Sequence, residues 1–204
     1  SEADLLQIIQ DLNEDDTIDG FIVQLPLPDH ISDDKVTLAI NPSKDVDGFH
    51  PTNFGLMAQG MPQYIPATPY GMLKMLERYN IDTSGKHCVV VGRSNIVGTP
   101  MSILMSRKAT VGNCTVTLTH SRTKNLKEEI KRADILIAAI GIANFITEDM
   151  VKEGAIIIDV GITRVPDASH PKGYIITGDV DYERVKDKAS FITPVPGGVG
   201  PMTI

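Results

Sequence analysis

Apolar residues recur at helical spacing over residues 2–13, EADLLQIIQDLN, and predict an opening helix. The segment DGFIVQLPLP at 19–28 predicts a buried strand that ends in a proline-rich turn, because proline cannot continue a central ladder. Ser32 followed by Asp33 and Asp34 marks a helix start: a capping hydroxyl, then acids where the helix dipole favours them. Residues 41–55, NPSKDVDGFHPTNFG, read as loop, dense in Asn, Asp, Pro and Gly. Thr68-Pro69 opens a further helix, PYGMLKMLERY, with apolar residues at 72, 73, 75 and 76.

The pattern changes at residue 86. Four strand-like runs, HCVVV, TVTLT, DILIAAI and AIIIDV, alternate with helical segments after Thr99, Thr123 and Thr147. The later runs are nearly all apolar, so both faces of each should be covered. That is the mark of a parallel sheet in an α/β domain. GYIITGDV (173–180), a short helix (181–189) and SFIT (190–193) are expected to close it, and PVPGGVGPMTI reads as entering a new helix. No internal repeat appears.

The 204 residues allow two modest domains or one large one, and 42% hydrophobic with 22% charged residues fits a soluble globular protein. The net charge is 19 − 26 = −7 and the basic residues are scattered, which argues against a nucleic-acid surface. No apolar run is long enough for a bilayer, and the acidic, helix-patterned N-terminus is not a signal peptide. Cys88 and Cys114 lack C-x-x-C spacing and read as reduced thiols of a cytoplasmic protein. The five histidines (30, 50, 87, 120, 170) lack metal-ligand spacing, so no metal site is expected.

The stretch VVVGRSNIVGTPM (89–101) is a strand, a glycine-bounded turn and a helix start. Helix N-termini beyond the strand ends of an α/β sheet point N–H groups at ligands. Gly92 permits the sharp turn. Gly98 lets the backbone approach a ligand or packs the helix closely. Thr99 is the expected N-cap and Pro100 the first helical residue. This turn alone leaves a phosphate site and a plain strand–helix connection about even. The next strand decides more. An NAD site calls for an acid after the second strand to hold the ribose diol. Here TVTLT runs into HSRT (120–123), with no acid. Arg122 alone reads as a solvated surface arginine, but with Ser121 and Arg93 it suits a 2′-phosphate. The turn is therefore expected to hold a dinucleotide, NADP rather than NAD.

Four blocks, VVVGRSNIVGTPM, DGFIVQLPLP, KDVDGFHPTNFG and ITPVPGGVGPMT, together resemble the bifunctional methylenetetrahydrofolate dehydrogenase/methenyltetrahydrofolate cyclohydrolase family, and the likeness runs along essentially the whole chain. The resemblance implies a Rossmann-type parallel-sheet cofactor domain plus the remainder of an α/β catalytic domain, facing each other across a cleft. It places the folate domain at residues 1–69, with 193–204 returning to it, and the NADP-binding domain at 70–192. It implies NADP-dependent oxidation of 5,10-methylenetetrahydrofolate to the methenyl cation, hydrolysis to 10-formyltetrahydrofolate, and a role in one-carbon metabolism and purine biosynthesis. Tetrahydrofolate derivatives are the implied partners, with a homodimer and neither nucleic acid nor membrane.

Carried over by motif, Gln24 matches the glutamine that hydrogen-bonds the catalytic lysine, with Leu25 and Pro26 beside the substrate. Asp47 matches the carboxylate that holds the pterin ring. Gly92, Arg93, Ser94 and Gly98 match the phosphate turn, Ser121 with Arg122 the 2′-phosphate site, and Ile162 a backbone contact on the nicotinamide side. Pro194, Gly197 and Gly198 match the loop lining the folate site. The chemistry agrees: one carboxylate can accept the adjacent N–H and amino donors of a pterin and favours the cationic methenyl product. The family's Tyr-x-x-x-Lys motif does not occur upstream of Gln24, and Lys44, three residues from Asp47, reads as a solvated loop lysine. Both ends are accordingly expected to be cut. Beside the enzyme stands a second reading, a binding module that takes NADP and folate without turnover. A remoter third, a non-folate NADP oxidoreductase, must treat DVDGF and PVPGGVG as accidents.

Overall fold

The computed structural model describes residues 1–203. The chain falls into two compact units, Ser1–Ala67 and Thr68–Ile204.

The first unit holds α1 (Glu2–Glu14), α2 (Asp33–Ala39) and α3 (Pro51–Ala58). Ser1 and Asp4 form a reciprocal capping box at the start of α1. Ser32 caps α2 as its sequence predicts, its hydroxyl accepting the Lys35 N–H at 3.3 Å. Ile9, Val36 and Ile40 form the core, with Leu5, Phe21, Val23 and Leu27 packed against it. Two expectations fail here. The run 19–28 is no strand: its one β contact is an isolated bridge from Phe21 to Asp45. An extended apolar run becomes a strand only where a neighbour takes its N–H and C=O groups, and no ladder lies beside this one among the described residues. Residues 41–55 are not all loop, because α3 starts at Pro51. Proline suits the first helical position, and the His50 ring nitrogen Nδ1 accepts the Thr52 N–H at 3.1 Å.

Lys44 is not solvated. Its Nζ donates to the carbonyls of Leu12, Asn13 and Asp15 at 2.9, 2.9 and 2.8 Å. These are the last carbonyls of α1 and those just beyond it, which have no partner within the helix and attract a cation.

The second unit opens with α4 (Ala67–Arg78) and continues β1 (His87–Val91), α5 (Gly98–Ser106), β2 (Thr115–Thr119), α6 (Leu126–Lys131) and β3 (Ile135–Ala138). It ends with β4 (Ile156–Asp159), β5 (Thr163–Pro166), β6 (Tyr174–Thr177), α7 (Tyr182–Val185) and β7 (Phe191–Ile192). Five strands form one parallel sheet in the order β2-β1-β3-β4-β7. All four residues of β3 are buried, as two covered faces require. Cys88 and Cys114 are free and buried, and burial pushes the Cys114 thiol up to about 11.

The register aligns the strand exits. Val91 pairs with Thr119 on one side and Ala138 on the other, and Ala138 pairs with Asp159. The order reverses at β1, since β2 lies on one side of it and β3 on the other. Ligands of open α/β sheets bind in the crevice at such a switch point.

The periphery departs from expectation. β6 does not join the parallel sheet; it pairs antiparallel with β5, which the sequence pattern did not announce. The helix expected after Thr147 is a three-residue 3-10 turn at Glu148–Met150, whereas the one expected after Thr123 is present as α6. The expected helix 181–189 shrinks to α7, and where the sequence reads as entering a new helix the chain forms a 3-10 turn at Gly200–Met202. These segments are short, so pairing and packing outweigh propensity.

Candidate functional site

The turn after β1 is shaped by two glycines. Gly92 has φ +111°, and a Cβ there would lie 2.1 Å from the Ala139 carbonyl oxygen. A Cβ on Gly98 would lie 2.0 Å from the Gly92 carbonyl oxygen. Gly98 therefore serves close packing of the turn against its own helix. Thr99 is not the N-cap, because α5 begins one residue earlier, at Gly98. Ser94 provides the capping oxygen from inside the turn: its Oγ accepts the N–H groups of Val97 and Gly98 at 3.1 and 3.4 Å. The Thr99 hydroxyl instead donates to the Arg93 carbonyl at 3.1 Å. Among the described residues, the backbone N–H groups of Arg93, Ser94, Asn95 and Ile96 donate to no protein acceptor. Consecutive free amides at a strand exit are the chemistry of an anion cradle.

Ser121 and Arg122 follow the exit of β2, the neighbouring strand. Arg93, Ser121 and Arg122 are all exposed, and neither guanidinium forms an ion pair among the described residues. Two free cations and a hydroxyl at adjacent exits can grip a phosphate monoester, and no acid stands at the β2 exit to hold a diol. The residues fit a dinucleotide with a 2′-phosphate.

Ile162 and the distant loop residues Pro194, Gly197 and Gly198 line a single cavity of about 280 Å³ beyond β4. Gly197 has φ +100°, and a Cβ on Gly198 would meet the Pro194 carbonyl oxygen at 2.4 Å. Ile162 is 66% exposed, which leaves an apolar face open to a ligand.

In the first unit, Leu25 and Asp47 line one narrow recess with Phe21, Val23 and Ile40. Gln24 and Pro26 are exposed and outside it, and the Gln24 amide donates to the Leu25 carbonyl at 3.0 Å. Both the Leu25–Pro26 and the Val195–Pro196 peptide bonds are cis. Asp47 is half-buried; burial, then the nearby Asp45 carboxylate, raises its pKa above the ordinary carboxylate value. Asp45 itself is buried and accepts the His50 N–H and the Asn53 amide, both at 2.8 Å.

Comparison with known proteins agrees with this geometry. Residues 66–204 match the family model described as tetrahydrofolate dehydrogenase/cyclohydrolase, NAD(P)-binding domain, and residues 1–47 match the catalytic domain of the same family. The chain belongs to the tetrahydrofolate dehydrogenase/cyclohydrolase family. Bifunctional protein FolD of Flavobacterium johnsoniae is 67% identical over 204 residues, covering all of this chain and 69% of that protein. The FolD enzyme of Campylobacter jejuni has 48% identity and a TM-score of 0.90, over all of this chain and 69% of its own. The Trypanosoma brucei FolD structure, complexed with NADP cofactor and inhibitor, has 35% identity and a TM-score of 0.91, over all of this chain and 68% of its own. These relatives favour the enzyme over the binding-only reading.

Sequence reasoning about this family member missed two acids, Asp159 and Asp179, both buried. Asp159 ends β4, and its carboxylate accepts the N–H groups of Gly161, Asp179 and Val180 at 2.9, 3.0 and 2.9 Å. Burial raises its pKa to about 6, against the pull of those three hydrogen bonds. Asp179 accepts the N–H groups of Ile140, Gly141 and Ile142 at 2.7, 3.1 and 2.9 Å. The available signal was an acid at the end of each apolar run, DVG and GDV, each within two residues of a glycine.

Proposed function

We propose that the exits of β1 and β2 hold the cofactor of a folate dehydrogenase/cyclohydrolase. In this reading Gly92, Arg93, Ser94 and Gly98 form the phosphate turn, and Ser121 and Arg122 take the 2′-phosphate. The protein oxidises 5,10-methylenetetrahydrofolate to 5,10-methenyltetrahydrofolate with NADP and hydrolyses that cation to 10-formyltetrahydrofolate. NADP⁺, when bound, supplies the hydride acceptor.

The observation that carries the cofactor assignment is the pair of free guanidiniums, Arg93 and Arg122, at neighbouring strand exits with no acid after β2. Asp47 accepts the paired donors of the pterin, with Leu25 and Pro26 beside the ring. The half-buried setting of Asp47 strengthens such a bidentate contact because water competes less. Gln24 has a neutral amide that can orient an amine without locking it into an ion pair. Ile162 contacts the nicotinamide side, and Pro194, Gly197 and Gly198 line the folate side of their cavity. Residues 1–69 with 193–204 serve the folate, and 70–192 serve the cofactor. We further place the protein in the cytoplasm as a homodimer that supplies formyl groups to purine biosynthesis, without nucleic-acid or membrane partners. The acidic net charge argues against a nucleic-acid partner, and no helix among the described residues is long and apolar enough to cross a membrane.

The test is turnover by the protein at its native length. With 5,10-methylenetetrahydrofolate and NADP⁺, NADPH and the methenyl product should appear together, and the methenyl absorbance should then decay faster than in buffer. Formation of NADPH with no methenyl intermediate, or a preference for NAD⁺, would overturn the reading.

A further inference from the structure

Two buried carboxylates at the strand exits take part in none of the contacts assigned above. Each accepts three backbone N–H groups, and neither has a lysine, arginine or histidine partner among the described residues. Glycines make room for both. A Cβ on Gly161 would lie 2.3 Å from Asp179 Oδ1, and one on Gly178 would lie 2.0 Å from Asp159 Oδ2. The two acids are linked in series, because Asp159 accepts the N–H of Asp179 and Asp179 accepts the loop 140–142.

That loop is the exit of β3, across the switch point from the phosphate turn. The two exits touch, since Gly92 stands directly against the Ala139 carbonyl. They differ in what they offer a ligand. The β1 turn leaves four consecutive amides free. The β3 exit directs its three amides inward onto Asp179 and leaves Ile142 53% exposed. An anion finds donors on one side of the crevice and an apolar surface on the other.

We propose that Asp179 is a positioning and specificity-determining residue for the dinucleotide: by engaging the amides of residues 140–142 it pre-sets that loop for the nicotinamide ring end, which carries no negative charge, and confines the phosphates to the β1 turn, with Asp159 holding Asp179 in place. The proposal rests on the cofactor site assigned above.

Calorimetric titration with two probes separates the roles. NADP⁺ reaches both sides of the crevice, whereas adenosine 2′,5′-bisphosphate carries only the adenosine end. Asp179→Asn turns a group that only accepts into one that also donates towards donors. It should weaken NADP⁺ at least tenfold and change the affinity for adenosine 2′,5′-bisphosphate less than twofold. A merely structural role would weaken both probes alike, and that result, or no change in either, overturns the proposal. Arg93→Ala tests the underlying site: it should weaken both probes, and if it weakens neither, the site assignment itself is wrong. Amide exchange in the unsubstituted protein decides the matter even if Asp179→Asn does not fold. The N–H groups of Ile140, Gly141 and Ile142 should be protected before any cofactor is added. Fast exchange that slows only on adding NADP⁺ would refute a pre-set loop.

Discussion

Gly98 stands so close to Gly92 that a Cβ at Gly98 would lie 2.0 Å from the Gly92 carbonyl oxygen and 3.0 Å from the Arg93 Cα. Both obstacles are backbone, so they cannot rotate aside. Gly98→Ala should cost roughly 1–3 kcal/mol, the usual range for overpacking, and should weaken NADP binding because the displaced segment is the turn we assign to the cofactor phosphates. Urea unfolding followed by NADP titration checks both.

Arg93 and Arg122 should set the choice of cofactor. Charge-assisted hydrogen bonds contribute about 1.5–3 kcal/mol each, so Arg122→Ala should weaken NADP⁺ by roughly ten- to a hundredfold and leave NAD⁺ almost unchanged. Titration of the two cofactors side by side gives the ratio. Equal losses for both would remove Arg122 from the 2′-phosphate site.

Asp47→Asn should weaken folate binding and leave NADP binding intact, since it places donors against the donors of the pterin. Asp45→Ala should act differently. It strands the His50 N–H and one hydrogen of the Asn53 amide, whose other donates to the Pro42 carbonyl, and a buried group left unsatisfied costs about 1–3 kcal/mol. Fluorescence titration with a folate analogue, beside thermal unfolding, separates the two. A folate affinity unchanged by Asp47→Asn would move the pterin elsewhere.

Asp159 should leave a signature in the pH dependence of stability. Its folded-state pKa of about 6 lies above the ordinary aspartate value of 3.8. The folded chain therefore binds the proton more tightly than the unfolded chain. The stabilising contribution is fully present below about pH 4 and is lost as the pH rises through 6. Relative to Asp159→Asn, the unsubstituted protein should lose roughly 3 kcal/mol across that window, because a pKa that differs by one between the folded and unfolded chain corresponds to about 1.4 kcal/mol. Denaturant unfolding at pH 4, 5, 6 and 7 gives the slope. Parallel profiles for the two proteins would mean that Asp159 does not titrate there.

Much of the cofactor domain was legible in the chain itself. β1, β3 and β4 appear as apolar runs because a strand covered on both faces must be apolar throughout. α2 was legible because its cap lies within a few residues of the helix it starts. The glycine-bounded turn after β1 and the absence of an acid after TVTLT were visible for the same reason: each is a local pattern.

Only the tertiary structure decided the rest. DGFIVQLPLP has the residues of a strand, yet it makes a single bridge, because pairing depends on a neighbour rather than on the run. Thr99 has the chemistry of a cap, but the geometry of the turn gives the capping role to Ser94. Lys44 reads as a loop lysine and is the cation at the end of α1, about thirty residues away in sequence. Asp159 and Asp179 are twenty residues apart and become one device only when the exits of β3 and β4 align. Caps, turns and burial patterns act over a few residues and leave a mark in the sequence. Hydrogen bonds between distant segments leave only the weak mark of an acid near a glycine at the end of an apolar run, because such an acid shows no partner until folding removes its water and chooses one.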